Sequence, residues 1–557
     1  MKNVYLSQFS TVTLDKYYFL PYSVGLLWSY ALTRPSISKE YKLKKLFWKK
    51  APLKQIVDSL DNPAVFGFSC YVWNYNYNLK LAKLVKQKFP ECIIIFGGPG
   101  VPDNDLSFFS KHSWIDYTIH TEGEQSFANL LETLLEGEHP KQISIPSRRT
   151  KYLDTIPSPY LSGVFDSVIQ EAQTDGSVVN ALLETNRGCP FKCTFCDWGG
   201  LTFSKIHNFD LDRIKDEITW IGKNKIELIS LADANFGIFP DRDLSIAKWA
   251  IKTKEKYGYP KWFDTSWTKN TKPETLETAK LLMKAGMLRK FVMSLQTLDS
   301  STLSNIKRKN IDGSRFSSLI RDRSVSVATE LIVGLPGETI TTYKQGICSL
   351  IDDKIKIIQN PLTLLPNSEM NSVEYREQWQ IESVSFRSSW SSFEVDEWED
   401  LVVGTSSYSS EEWNEMILWG WLTVFLETYY WTDVFAEQFD TLAWYDWCYS
   451  WFTRETTDLS PWLNRWANHL EEGLSYELWG GGVGTSDLDA IQTLLDSNSW
   501  QSDLKRCVQE FCNRTGTMMP DESTFVKQRH RHKVVGNWDS LAQQLIATRW
   551  NFDSRAD

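Results

Sequence analysis

Three cysteines fall within eight residues of this 557-residue chain, at Cys189, Cys193 and Cys196 in the segment NRGCPFKCTFCDWGG, which runs from Asn186 to Gly200. Thiolates are soft ligands suited to zinc or to iron–sulfur clusters. A structural zinc site closes with four protein ligands, yet no fourth cysteine lies near and the nearest histidine, His207, stands eleven residues past Cys196. Electron-carrying ferredoxins also use four cysteines per cluster. Three thiolates on a short loop therefore predict a [4Fe–4S] cubane with one iron left open for chemistry, with zinc as the alternative. The other six cysteines, Cys70, Cys92, Cys348, Cys448, Cys507 and Cys512, are scattered. They read as buried free thiols of a reducing compartment.

The elements that must position this loop alternate. Val178–Thr185 (VVNALLET) reads as the strand leading into it, and Leu211–Gly222 as an amphipathic helix after it, with Ile214, Ile218 and Ile221 on one face. Ile226–Leu231, Lys290–Leu295 and Ser326–Val333 read as further strands and Thr275–Ala285 as a helix. Repeated β–α units of this length predict a partial barrel whose active site lies at the strand C-terminal ends. Upstream, Ala64–Cys70, Cys92–Phe96 and Trp114–Ile119 are short apolar runs, and Leu79–Phe89 and Glu124–Leu135 have helical spacing. That rhythm predicts a doubly wound parallel sheet, with ligands beyond its strand C-terminal ends, where Gly97-Gly98-Pro99-Gly100 and Glu122-Gly123-Glu124 stand. Between the two, Pro140–Gly176 reads as a connector, because Pro157 and Pro159 bar a helix interior.

The predicted organisation is thus α/β: a Rossmann-like domain over 1–140, a linker over 141–177, a partial barrel over 178–377 and a helical domain over 378–557. Fifteen of the 25 tryptophans lie between Trp390 and Trp550, either as core packing or as an aromatic wall facing substrate. The net charge of −10 argues against a nucleic-acid surface, and the basic stretch Lys527–Lys533 reads as a solvated end. Met1–Phe9 reads as a strand rather than a secretory signal, and no apolar run approaches the ~18 residues of a membrane span. The expected location is the cytoplasm.

The spacing CxxxCxxC, with Phe195 just before the last cysteine, resembles the signature of the radical S-adenosylmethionine (SAM) superfamily. The resemblance continues downstream in order: Asp233-Ala234-Asn235-Phe236-Gly237 after the second strand, Ser294-Leu295-Gln296-Thr297 at the fourth, and Gly334–Thr339 (GLPGET) at the fifth. It implies that Cys189, Cys193 and Cys196 hold the cluster. It also implies that SAM is bound near Phe195, Asp233, Asn235, Ser294, Gln296, Gly334, Pro336 and Gly337. In that family SAM chelates the open iron and its reductive cleavage makes a 5′-deoxyadenosyl radical, with an electron from a donor such as flavodoxin or ferredoxin.

Upstream, Gly97–Gly100, Asp116-Tyr117, Glu122–Phe127 and the linker IPSPYLSG from Ile156 to Gly163 are similar to the cobalamin-binding branch of the superfamily. The resemblance spans roughly residues 1–375. It implies a cobalamin site at Ser69, Gly97, Gly98, Pro99, Gly100, Glu122, Gly123 and Glu124. The chain departs from many B12 proteins in lacking D-x-H-x-x-G, so no lower cobalt ligand is indicated, and a domain that has lost its corrinoid is the alternative. The implied function is a cobalamin-dependent methyltransferase acting on carbon of a small molecule or peptide. The rivals are a radical rearrangement or cyclisation without methyl transfer, and a non-catalytic iron–sulfur or corrinoid-binding protein. Methyl transfer requires that Gly98 and Glu122 lie on the side of their domain facing Cys189–Cys196, with residues from 378 onward closing the gap.

Overall fold

The computed structural model describes all residues except 11, 14–16, 104, 106, 138–141, 147–148, 199–203, 270, 312–324, 389, 393, 431–434, 436–437, 468–499 and 522–557. Lys527–Lys533 lies outside the described residues. The chain packs as two compact units. One comprises Met1–Leu288, Leu364–Ser372 and Trp390–Glu399; the other comprises Arg289–Thr363, Val373–Ser389 and Asp400–Asp557.

In the first unit, six parallel strands follow the order Tyr41–Phe47, Lys2–Ser7, Pro63–Ser69, Ile93–Gly97, Tyr117–His120, Ile143–Pro146. Ile94, Ile95 and Phe96 are all buried, as befits a parallel strand covered on both faces. Strand order reverses between Lys2–Ser7 and Pro63–Ser69, so the crevice beyond Ser7 and Ser69 is the topological switch point where such sheets take ligands.

A second sheet in this unit carries the cysteine loop. Val178–Leu183 pairs in parallel with Leu228–Leu231, which pairs with Trp262–Asp264. On its other side, Val178–Leu183 pairs with Tyr17–Phe19. The N-terminal segment thus contributes a strand to the second sheet, although the sequence reading assigned it to the first domain. Three residues are too few to show a period. The helix Leu211–Lys223 starts where the Asp210 side chain accepts hydrogen bonds from the amides of Asp212 and Arg213, the usual device for satisfying the free donors of a first turn. The connector also holds a helix, Asp166–Asp175, ended by Gly176 in a left-handed conformation. Ile156–Tyr160 stays outside helix and strand.

The second unit is built on three parallel strands, Phe291–Gln296, Val327–Val333 and Lys356–Pro361. The helices Ser410–Tyr430 and Thr441–Arg454 share one core with that sheet: Leu331, Val333 and Ile347 lie in the same cluster as Trp413, Trp419, Trp444 and Trp451. All four tryptophans are fully buried, which is the core-packing role. The aromatic helices and these barrel strands therefore form one body.

Candidate functional site

The cysteine loop is closed at its base. Asn186–Arg187 pairs antiparallel with His207–Asn208, and the Ser204 amide donates to the Cys189 carbonyl at 2.6 Å. Gly188 has φ +120°, and a Cβ there would stand 2.5 Å from the Lys205 carbonyl oxygen, so only glycine fits this turn. Asp233 is fully buried. Its carboxylate accepts from the amides of Thr185 at 2.7 Å and Asn186 at 3.2 Å, from the Asn186 side chain at 2.7 Å and from the Thr185 hydroxyl. Burial pushes the Asp233 carboxyl up to about 7 against the pull of these donors. Asp233 thus grips the end of the strand from which the cysteines start.

Donors are aimed at the Cys189 and Cys193 sulfurs. Asn235 Nδ2 lies 3.3 Å from Cys189 Sγ, and Lys269 Nζ lies 3.4 Å from Cys193 Sγ and 3.8 Å from the centre of the Phe191 ring. Hydrogen bonds to the sulfurs tune a bound cluster. Among the described residues, no three His, Cys, Asp or Glu side chains form a ready single-ion site. A cubane takes one thiolate per iron, so its ligands need not converge on one point as those of a single ion do. The donor set fits the cluster. Phe195 stands half-buried beside Cys196.

Glu122 and Glu124 follow the Tyr117–His120 strand, where the sequence places a cobalamin site. Both are buried and face Arg187, two residues before Cys189. Arg187 pairs with Glu122 at 3.2 Å, Glu124 at 2.9 Å and Glu184 at 2.7 Å. Arg149 adds a 3.2 Å pair to Glu122 and donates to the carbonyls of Lys205 at 2.6 Å and Arg187 at 3.2 Å. Three carboxylates around one buried guanidinium fix it through several forked bonds. The loop after one strand of the first sheet is thereby tied to the base of the cysteine loop.

The glycine loop lies at the same strand ends. Gly98 has φ +95°, and a Cβ there would meet the Cys70 carbonyl oxygen at 2.7 Å. The Cys70 amide donates to the Gly97 carbonyl at 2.7 Å, and the Gly100 amide to the Cys70 carbonyl at 2.9 Å. At the switch point the Ser69 hydroxyl lies 2.9 Å from that of Ser23, which also donates to Gln8. The buried Ser7 hydroxyl has no hydrogen-bond partner among the described residues. This small-residue cradle with an orphaned hydroxyl fits a flat ligand with polar edges. Gly123 precedes the helix Glu124–Glu136.

In the second unit, Gln296 ends its strand at φ +70°, and pairing with the next strand shifts register between Ser294 and Gln296. Strained backbone and bulges concentrate at functional sites. Ser294 donates to Glu330 at 2.6 Å, so its hydroxyl is engaged. Gly334 and Gly337 have φ of +94° and +98°; a Cβ on Gly334 would meet Tyr408 and Trp413, and one on Gly337 would meet Asn305 Nδ2 at 2.0 Å. The Pro336 carbonyl accepts from Asn305 at 3.2 Å. Glu338, which the sequence reading passed over, is buried and accepts from Thr297 at 2.7 Å, and burial pushes its carboxyl up to about 8.

Of the residues singled out from sequence, the first unit holds the cysteines, Phe195, Asp233, Asn235 and the whole predicted cobalamin set. The second holds Ser294, Gln296, Gly334, Pro336 and Gly337. Sequence reasoning missed Arg187, Arg149 and Lys269. Arg187 was signalled by standing two residues before the first cysteine, whereas Arg149 and Lys269 carried no local sign.

Residues 183–345 match the family model described as the radical SAM superfamily. A cobalamin-dependent radical SAM methyltransferase, TokK of Streptomyces tokunonensis, is 36% identical over 68% of this chain and 58% of its own length. The 2-(S-pantetheinyl)-carbapenam-3-carboxylate methyltransferase of Streptantibioticus cattleyicolor is 32% identical over 71% of this chain and 61% of its own. The chain thus spans about three-fifths of the length of these two relatives. Among solved structures, the cobalamin-dependent SAM radical enzyme OxsB superposes with TM-score 0.55 at 14% identity, covering 97% of this chain and 84% of that one. At that identity the likeness shows the fold: a parallel-stranded α/β chain with a radical SAM partial barrel.

Proposed function

The chain belongs to the radical SAM superfamily, and from that premise we propose that it is a cobalamin-dependent methyltransferase acting on a carbon of a small molecule. The observation that carries this reading is the Arg187 ion cluster, which ties the loop predicted to bind cobalamin to the base of the cysteine loop. Methyl transfer needs both cofactors at one substrate carbon, and a buried multidentate link is a means of holding two loops at a set spacing.

When bound, the cluster and SAM supply a carbon-centred radical that takes hydrogen from substrate, and cobalamin supplies the methyl group. Cys189, Cys193 and Cys196 hold the cluster, with Asn235 and Lys269 donating to two of the sulfurs. Asp233 positions the strand end beneath them. In the second unit Gln296, Gly334, Pro336 and Gly337 serve SAM, and in the first Ser69 and Gly97–Gly100 serve cobalamin. Glu122 and Glu124 act through Arg187. A flavodoxin or ferredoxin delivers the electron, in the reducing cytoplasm. No helix among the described residues is long and apolar enough to cross a membrane.

The substrate class to try first is a thioether-bearing carbapenam carboxylate, the chemistry named for one relative. Protein reconstituted anaerobically with iron, sulfide and hydroxocobalamin is incubated with methyl-labelled SAM, reductant and candidate substrates. A product carrying the labelled methyl, with 5′-deoxyadenosine and S-adenosylhomocysteine, is the expected result. Deoxyadenosine with a converted but unmethylated substrate would favour the rearrangement reading. No SAM cleavage at all would leave only a binding protein.

A further inference from the structure

The Leu364–Ser372 segment belongs to the first unit although its chain neighbours on both sides belong to the second. Its contacts are specific. Asn367 Nδ2 donates to the carbonyls of Pro99 at 3.0 Å and Val101 at 2.9 Å, and Asn367 Oδ1 accepts from the Asp103 amide at 2.9 Å. One side-chain amide thus makes three bonds to the glycine loop. Three residues later, the Met370 amide donates to the Thr194 carbonyl at 2.8 Å, between Cys193 and Cys196. Met370 and Ser368 are buried. Even fully extended, three residues reach only about 11 Å, and here they are wound into a turn. Ser368 donates to Leu365 at 3.2 Å, Asn371 to Ser368 at 3.1 Å, and the Asn371 side chain to Pro366 at 3.3 Å. The glycine loop and the cysteine loop therefore grip opposite ends of one short, internally bonded spacer.

We propose that Asn367 is a positioning residue whose three bonds set the spacing between the cobalamin loop and the cluster loop. This rests on the cobalamin reading above. Its physical basis is the steep dependence of reaction on placement, since an error of about 1 Å in a reacting pair can cost roughly 100-fold. A side-chain amide suits the task because it offers two donors and an acceptor at fixed angles. Asp at this position would keep the acceptor for Asp103 but set a carboxylate against two carbonyls.

The test uses the full chain reconstituted with iron, sulfide and hydroxocobalamin, with Asn367→Ala and the near-isosteric Asn367→Asp beside the wild type. Three quantities are read: the hydroxocobalamin Kd by absorbance, the iron content, and the microwave power that half-saturates the cob(II)alamin EPR signal with the cluster reduced. The last reports the distance between the two paramagnets and needs no substrate. Both variants are expected to keep full iron, to bind the corrinoid about tenfold or more weakly, as losses of supporting bonds commonly do, and to saturate at lower power when loaded. A wild-type Kd together with a wild-type saturation power in either folded variant overturns the proposal. So does a parallel loss of iron, corrinoid and thermal stability in both variants, which marks a general structural role. If the wild type itself takes up no corrinoid, the cobalamin reading fails first and this proposal with it.

Discussion

Around the cysteine loop the protein is held by buried ion pairs and directed hydrogen bonds; around the Gly334–Thr339 loop hydrogen bonds to Gly337, Pro336 and Glu338 are joined by aromatic packing rather than by charge. In the first region Arg187 meets three carboxylates and Asp233 accepts four hydrogen bonds. In the second, Gly334 lies under Tyr408 and Trp413, in a core that continues to Trp444 and Trp451. Directed bonds fix angle and distance but leave costly orphans when one partner goes. Packing contributes stability with less demand on angle and can partly relax. The difference teaches that the buried ion cluster around Arg187 belongs to the unit that carries the cysteines and the glycine loop.

The largest effect should come from the ligands themselves. Cys193→Ala removes one thiolate of three, so SAM cleavage in anaerobically reconstituted protein should fall to background, and iron content with it. Undiminished 5′-deoxyadenosine would break the cluster assignment and with it one side of the comparison.

Arg187→Leu and Trp451→Ala set the two regions against each other. Each should cost about 3–5 kcal/mol in urea unfolding, the first through stranded buried carboxylates and the second through a cavity. Only Arg187→Leu should also reduce iron retention and corrinoid uptake. If Trp451→Ala lowers both as strongly while remaining folded, the division of labour is wrong.

A finer pair is Gly98→Ala and Gly337→Ala. Their φ values, +95° and +98°, are nearly equal, so the left-handed penalty of about 1–2 kcal/mol is common to both. Their obstacles differ. The methyl at 98 meets the Cys70 backbone at 2.7 Å, while that at 337 meets the tip of the Asn305 side chain. Gly98→Ala should therefore cost more by thermal unfolding, although the nominal overlap is worse at 337. Adding Asn305→Ala should recover part of the loss at 337. No recovery would show that the second loop is as rigid as the first.

The smallest effect concerns Glu338. Burial raises its carboxyl from 4.5 to about 8, so the folded state holds a proton that the unfolded chain releases. The associated stability is fully present below pH 4.5 and is lost as pH rises through 8. Glu338→Gln cannot titrate, so its melting temperature should decline less than that of the wild type from pH 6 to pH 8, a difference on the order of 1 kcal/mol. Parallel profiles would mean that Glu338 is already ionised, with water reaching its second oxygen.

Much of the architecture was legible because periodic burial leaves a periodic pattern. Ile93–Gly97, Glu124–Glu136 and Val327–Val333 stand within two residues of where the apolar spacing put them. The cysteine loop was legible because its chemistry is local: three ligands of one loop must be close in sequence. Tyr17–Phe19, by contrast, is too short for a pattern, and its place beside Val178–Leu183 depends on pairing residues 161 positions apart.

The sequence alone determined which residue types could hold a cluster and in what order strands, helices and glycine turns follow, because ligand spacing, helical period and φ preference are all properties of neighbouring residues. Only the tertiary structure decided that Glu122 and Glu124 face Arg187, that Asn367 spans to the loop at Pro99–Asp103, and that the tryptophan-rich helices share a core with the strands of the second unit. The hydrogen-bonded pairings join residues 63 to 268 positions apart. Burial makes them decisive, since a charge or amide removed from water must find its partner wherever the fold brings one.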